Sequence, residues 1–337
     1  MKVLALHRYA VKGLGPDRLE RVVLDRPGAA FPDDRRFALL KTEHRAAFDP
    51  ARSDWIFKQK FLCAFTYGEL LNRFATAYDD ATRQLTVWDR TADGRKSSDR
   101  RTALGPVDLS TASGRDALAA FFAGRCGEPL SCVTAAGPEH THQFGNTDEG
   151  FQRRGDSRTI HIVSASTVRE VGETLGLRLS PEQFRPNIIV DGLEAWNDFD
   201  AVGKTLTVSR PDGTASTLRL EGLVRCVRCD GVGVDPLDPA TPKVDVPKLL
   251  AKHYPKFGPF LGIYAVVATP GDIQVGDTIT FPGEKVASPP PSSLSKARQF
   301  IQSHYVWTHI IAGVSLALLF AYAARWSAPF MTATSGK

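Results

Sequence analysis

Two cysteines three residues apart, with arginines before and between them, carry the strongest chemical signal in the chain: Arg225-Cys226-Val227-Arg228-Cys229. The stretch then runs through Gly231 and Gly233 to Val234-Asp235-Pro236. A thiolate is a soft, strong metal ligand, and neighbouring guanidinium groups favour the thiolate over the thiol. At least one of the pair is therefore a candidate ligand or nucleophile. Spacing alone leaves three readings open: half of a zinc site, a redox pair, or two apolar core cysteines. A structural zinc site needs a second ligand pair at matched spacing. No second Cys-x-x-Cys exists, and the one tight histidine pair, His140 and His142, stands far upstream. A thioredoxin-like pair belongs at a helix start in a βαβ setting. This one follows Leu218 to Val224, which alternates like a strand, and leads into glycines.

Two other stretches have chemistry to offer. Ser164-Ala165-Ser166-Thr167 ends a strand and opens a helix, a place that holds an anion or simply caps the helix. In Phe184-Arg185-Pro186-Asn187 the proline cannot donate to a ladder and belongs at a strand start. Arg185 and Asn187 then stand at the strand mouth. There they can meet an anion or a heterocycle, or be satisfied by nearby carbonyls.

The elements that must position these residues are mostly short strands. The 337 residues suffice for two modest domains. Apolar residues make up 42% and charged residues 23%, a globular balance, while 28 glycines and 22 prolines imply many turns. Residues 1–12 alternate as a first strand, followed by candidates at Leu19–Leu24, Arg35–Leu40, Phe61–Phe65 and Gln84–Trp88. Such spacing, with Gly/Pro/Asp turns between, predicts a β-sandwich or barrel. Ser113–Ala123 reads as a helix capped by Ser113. A polar stretch, 136–158, separates two halves. Thr159–Ser164 is a strand, the following helix spans Val168–Leu175, and Gly176 stops it. Strands at Thr205–Ser209 and Thr217–Leu220 deliver the cysteine pair. Val246–His253 is helical, and Gly271–Ile279 reads as a hairpin.

The net charge of +5 comes without a lysine-rich tract, which excludes a nucleic-acid binder and suits an anionic cofactor or a membrane surface. Five cysteines, an odd number, argue for a reducing compartment and against a secreted disulfide framework. The N-terminus has no signal-peptide apolar region. The last part differs in kind. Pro289-Pro290-Pro291 forms a stiff linker. Val306–Ala324 then lacks Asp, Glu, Lys and Arg and is flanked by Trp307 and Trp326. Nineteen helical residues span about 28 Å, close to a bilayer's apolar thickness, so the segment reads as a single-pass tail anchor with the bulk of the protein cytosolic. Its basic flank leans towards the mitochondrial outer membrane over the endoplasmic reticulum.

Tyr9-Ala10-Val11-Lys12, Asp34-Arg35-Arg36-Phe37, Phe184-Arg185-Pro186-Asn187, Cys226-Val227-Arg228-Cys229 with Val234-Asp235-Pro236, and Val275-Gly276-Asp277 occur in one order and spacing. In these the chain resembles the MOSC-domain molybdenum proteins over residues 1–282, and within them the amidoxime-reducing group. The resemblance implies a mainly β fold with some α. Its parts are an N-terminal β-barrel domain at 1–125, a MOSC β-barrel domain at 126–282, a Pro/Ser-rich linker at 283–303, the transmembrane anchor at 304–326 and a short tail at 327–337. It implies Mo-molybdopterin as cofactor, with Cys229 as metal ligand and catalytic residue. Lys12, Arg36, Ser164, Thr167, Arg185, Asn187, Val227 and Arg228 would bind the cofactor. The family's lysine is often followed by serine; here Gly13 stands in that place. The implied activity is an oxidoreductase that reduces small N-hydroxylated substrates, amidoximes and hydroxylamines. Its electrons come from a b-type cytochrome and its flavin reductase. The alternative is a cofactor-binding, storage or sulfur-carrier protein without turnover.

Overall fold

The computed structural model describes residues 1–51, 56–90, 101–135, 159–235 and 242–285. His140, His142, the linker and the expected anchor lie outside the described residues. Among the described residues, no helix is long and apolar enough to cross a membrane.

Fifteen strands and four α-helices are described. The first half contributes β1 (Lys2–Arg8), β2 (Asp17–Leu19), β3 (Arg21–Leu24), β4 (Phe37–Lys41), α1 (Ala64–Asn72), β5 (Phe74–Asp79), β6 (Gln84–Asp89), β7 (Arg101–Asp108), α2 (Ala112–Cys126) and β8 (Leu130–Thr134). The second half contributes β9 (Ile160–Ser164), α3 (Ala165–Leu175), β10 (Ile188–Asp191), β11 (Thr205–Ser209), β12 (Ala215–Val227), α4 (Val246–His253), β13 (Phe260–Thr269), β14 (Gly271–Gln274) and β15 (Thr278–Thr280).

The main sheet runs β10-β9-β13-β12-β11-β15-β1-β2, and β1 also pairs with β10. That extra pairing closes seven strands into a barrel, leaving β2 attached outside. Closure leaves no open edge among the seven. β9 and β10 run parallel, joined by α3, and the remaining barrel pairs are antiparallel. A parallel pair needs such a crossover, because a tight turn cannot join its ends. Val3, Leu6, Ile162, Val190, Leu206, Leu220, Ile263 and Ile279 belong to the barrel's buried core.

The barrel draws its first strand from the chain's N-terminus. The α-amino group of Met1 donates to Ile279 O at 2.8 Å, and Lys2 and Val3 face Asp191 and Val190 of β10. The sequence boundary at 125/126 thus separates strands that the barrel joins. Among the described residues of 37–134, no second barrel closes. These residues form a two-stranded sheet, β4-β8, and a three-stranded sheet, β5-β6-β7, with α1 and α2. A second core fills this body: Phe37, Leu39, Phe74, Tyr78, Leu85, Val87, Leu118 and Phe122.

Three local expectations are corrected. Phe61–Phe65 is no strand: Phe61 makes a single bridge to Leu40, and α1 starts at Ala64 behind a Cys63–Thr66 capping box. Thr111, not Ser113, caps α2, its hydroxyl accepting from Gly114 N at 3.1 Å. Gly271–Ile279 is no hairpin, since β14 pairs with β3 and β15 with β11 and β1.

The long β12 delivers the cysteine pair. Its pairing with β13 shifts register between Gly222 and Val224 and again between Arg225 and Val227. Bulges of this kind re-aim side chains. Here they leave Cys226 buried at 2% exposure and Val227 at 62%. The chain then leaves the sheet at Arg228.

Candidate functional site

A cavity of about 290 Å³ lies where the end of β12 meets the start of α1 and the turn after β1. Its wall holds Lys12, Arg35, Lys58, Arg185 and Arg228, three cysteines (Cys63, Cys226 and Cys229), and His161 and Tyr264, with no Asp or Glu among the described residues. An apolar side is made by Ala64, Phe65, Phe184, Val227 and Val232.

Cys229 stands one residue before the short 3-10 turn Asp230–Val232 and is partly exposed at the wall. Gly231 brings that turn against α1: a Cβ there would lie 3.1 Å from Phe65 N and 3.2 Å from Ala64 C. A small residue is what the close approach requires.

Arg228 is fixed on several sides. Its Nη2 donates to Phe184 O at 2.8 Å, and its Nη1 donates to Cys226 Sγ at 2.7 Å and faces His161 Nε2 at 3.2 Å. Its buried Nε has no partner. Burial, and then the Arg228 charge, hold the His161 imidazole well below its ordinary pKa, so the ring is neutral at pH 7 and accepts at Nε2. Burial, reinforced by Cys226, pushes the Tyr264 hydroxyl well up, so it keeps its proton.

Arg185 and Arg35 are both in the left-handed region, at φ 56° and 52°. For residues with a Cβ this backbone is strained, and such strain concentrates at functional sites. Arg185 follows the turn Pro181–Phe184, which Ser180 and Gln183 close with a capping box. Its guanidinium donates to Leu14 O at 2.8 Å and Gly13 O at 3.4 Å and lies 4.3 Å from the Tyr9 ring centroid. Burial lowers its pKa to about 10. Arg35 covers the same ring at 5.2 Å and pairs with Asp34.

Lys12 is 4% exposed. Burial lowers its pKa to about 8, partly offset by the sulfurs of Cys63 and Cys229. Gly13 follows at φ 92°, and a Cβ there would sit 2.7 Å from Cys63 Cα. This explains the glycine where the family often has serine: the chain has room for neither the side chain nor its usual backbone. Gly13→Ala is expected to destabilise the fold by about 2 kcal/mol or more. Denaturant unfolding checks this, and a change under about 0.5 kcal/mol would refute it.

Of the residues expected from sequence, Lys12, Arg185, Val227, Arg228 and Cys229 line the cavity, and four do not. Arg36 turns to Asp33, Nη1 to Oδ1 at 2.6 Å; its neighbour Arg35 takes the place at the wall. Ser164 Oγ is bonded to Ser166 Oγ at 2.7 Å. Thr167 donates to Asp198 Oδ1 and accepts from Trp196 N, both at 2.9 Å. Asn187 ties β10 to its neighbours: Oδ1 accepts from His161 N at 3.1 Å, and Nδ2 donates to His7 O at 3.1 Å. Thr167 and Asn187 hold elements together, and Ser164 is spent on its neighbour Ser166.

Sequence reasoning missed Arg35, Lys58, Cys63, His161 and Tyr264. His161 gave a signal, as the one ring nitrogen donor in the apolar run Ile160–Val163. The others did not, because tertiary packing alone selects them.

The MOSC domain family model matches residues 140–280. No curated protein matches the chain. Among solved structures, YiiM from Geobacillus stearothermophilus is 17% identical with a TM-score of 0.27; the match covers 36% of this chain and 53% of that one, about half its length. The YuaD protein from Bacillus subtilis is 13% identical with a TM-score of 0.33, and the match covers 82% of this chain and 93% of that one. The stretch that matches the MOSC domain model, residues 140–280, contains Arg185, Arg228 and Cys229 of the cavity wall.

Proposed function

We propose that this cavity binds Mo-molybdopterin and that the chain is an oxidoreductase reducing N-hydroxylated compounds of amidoxime and hydroxylamine type. The observation that carries the reading is the wall itself: five cations and a partly exposed thiol, with no carboxylate among them. Cations gathered on a wall that no carboxylate lines favour an anionic occupant. Arg228 adds a buried Nε with no partner, an unused donor beside Cys229. A molybdopterin fits these demands, being an anion that wants guanidinium forks for its phosphate and a thiolate for its metal.

Cys229 would hold the metal, and Lys12, Arg35, Arg185 and Arg228 the anionic groups. When bound, the cofactor supplies the two-electron, oxygen-accepting chemistry. The chain's own residues do the rest. Arg228, held by Phe184 and Cys226, fixes a positive charge next to the metal-binding sulfur. Neutral His161 keeps Arg228 in that orientation. Ala64, Phe65 and Val227 offer an apolar face to the carbon part of a substrate. Electrons would come from an external donor, a b-type cytochrome with its flavin reductase. The segment Val306–Ala324 would tether the chain to the same membrane.

The full chain, purified from a host that makes the cofactor, should contain molybdenum near one per chain and reduce benzamidoxime with an artificial donor. Zinc, or no metal, would end the reading. Molybdenum without turnover would leave the binding or storage role.

A further inference from the structure

Beside the main cavity lies a smaller space, an annexe that Arg185 also lines. Its volume is about 30 Å³, and it shares Gly13, Ala64, Arg185 and Gly231 with the main wall. Asn72, the last residue of α1, lines it and is 6% exposed. Neither Oδ1 nor Nδ2 of Asn72 has a partner. The buried orphans at His7 and Tyr9 line neither of these two cavities; Asn72 lines the smaller one, as Arg228 with its unpaired Nε lines the larger.

A buried amide with both polar atoms unpaired is rare, and an ordered water is the usual resolution. Volume decides the occupant. A water needs about 10–15 Å³ measured this way, so the annexe takes about two waters and no ring. The neighbouring polar groups are already engaged. Gln183 Oε1 accepts from Ser180 N at 2.8 Å, and Arg185 donates to Leu14 and Gly13 carbonyls. At the far side stands Glu182, 13% exposed and 3.8 Å from the guanidinium of Arg18, itself 75% exposed. Among the described residues, Glu182 is the one carboxylate on either wall.

We propose that Asn72 anchors a cluster of about two waters, and that these waters connect Glu182 with the cavity as its proton supply. The second half rests on the reductase reading. Breaking an N–O bond with two electrons from the external donor takes up two protons; an N–H bond forms and water leaves. Glu182 touches solvent through the Arg18 pair and is placed to reload the waters.

Two measurements test this. A high-resolution crystal structure of the full chain should show ordered water on Asn72, absent in Asn72→Leu; a dry annexe in the wild type overturns the water site. In the molybdenum-loaded protein, Asn72→Leu should lower kcat for benzamidoxime about tenfold and raise the solvent isotope effect, with KM and molybdenum content unmoved. Glu182→Gln should lower kcat with the waters retained, which guards against a folding defect in the first variant. Unchanged kcat and isotope effect in both variants overturn the proton route while the reductase reading stands. A wild type that reduces no N-hydroxylated substrate overturns that reading and the route with it, and the water site is then decided by the density alone.

Discussion

Cys229→Ala is expected to strip molybdenum from the purified protein and to lower benzamidoxime reduction by at least about 100-fold, the upper range found when even supporting contacts of a metal site are lost. Cys226→Ala should keep the metal and most of the activity. The two cysteines share a cavity but differ in what holds them. Cys229 is partly exposed at the wall. Cys226 is 2% exposed, and its sulfur accepts from Arg228 Nη1 at 2.7 Å. That sulfur is already committed to orienting a guanidinium. Arg228 retains Phe184 O and His161 Nε2 when Cys226 is truncated, so the variant should cost about 1–3 kcal/mol of stability without dismantling the wall. Metal analysis of both variants decides the matter. Equal metal loss in the two would remove the distinction drawn between ligand and supporting sulfur.

Lys12→Met is expected to stabilise the ligand-free protein and to abolish its retention of molybdopterin. Burial lowers the Lys12 pKa from 10.5 to about 8. At about 1.4 kcal/mol for each tenfold change in proton affinity, that amounts to roughly 3 kcal/mol of destabilisation at pH 7. The sign follows from proton counting. Between pH 8 and 10.5 the unfolded chain binds more protons at Lys12 than the folded one, so stability from this group rises with pH across that window. Below pH 8 the whole cost is present. Lys12→Met should therefore gain up to about 3 kcal/mol at pH 7 and lose the rise between pH 8 and 10.5. Denaturant melts of the metal-free protein at pH 7 and pH 10 measure both. A methionine variant less stable than wild type at pH 7 would mean that Lys12 is already compensated within the protein, and that the cavity makes no demand for an anion at this position.

The value of a buried lysine that weakens the empty protein lies in what it does for a ligand. An anion placed beside it restores the proton affinity that burial removed, so the cost returns as binding free energy. The strained backbones of Arg35 and Arg185 belong to the same economy: both sit at positive φ on the same Tyr9 ring. Stability is given up where a charged wall has to be held in one shape.

By itself the sequence determined the short-strand, mainly β character of the chain, the helix Val246–His253, the Gly176 stop, and Arg185, Arg228 and Cys229 as chemistry-bearing residues, with Lys12 joined to them by the family resemblance. These follow from local pattern and from motifs, which a linear reading sees directly. The tertiary structure alone decided the rest. It placed β1 in a barrel with strands about 190 and 280 residues along, a pairing with no local signature because loop closure and not propensity governs it. It chose Arg35 over its neighbour Arg36 for the cavity, since Asp33 holds one and the left-handed turn aims the other. It turned Thr167 and Asn187 inward to satisfy buried backbone and carboxylate groups and paired Ser164 with the Ser166 hydroxyl, needs that exist only once the elements pack. It also left Asn72, an unremarked helix-end residue in the sequence, facing an annexe with both amide atoms unmet.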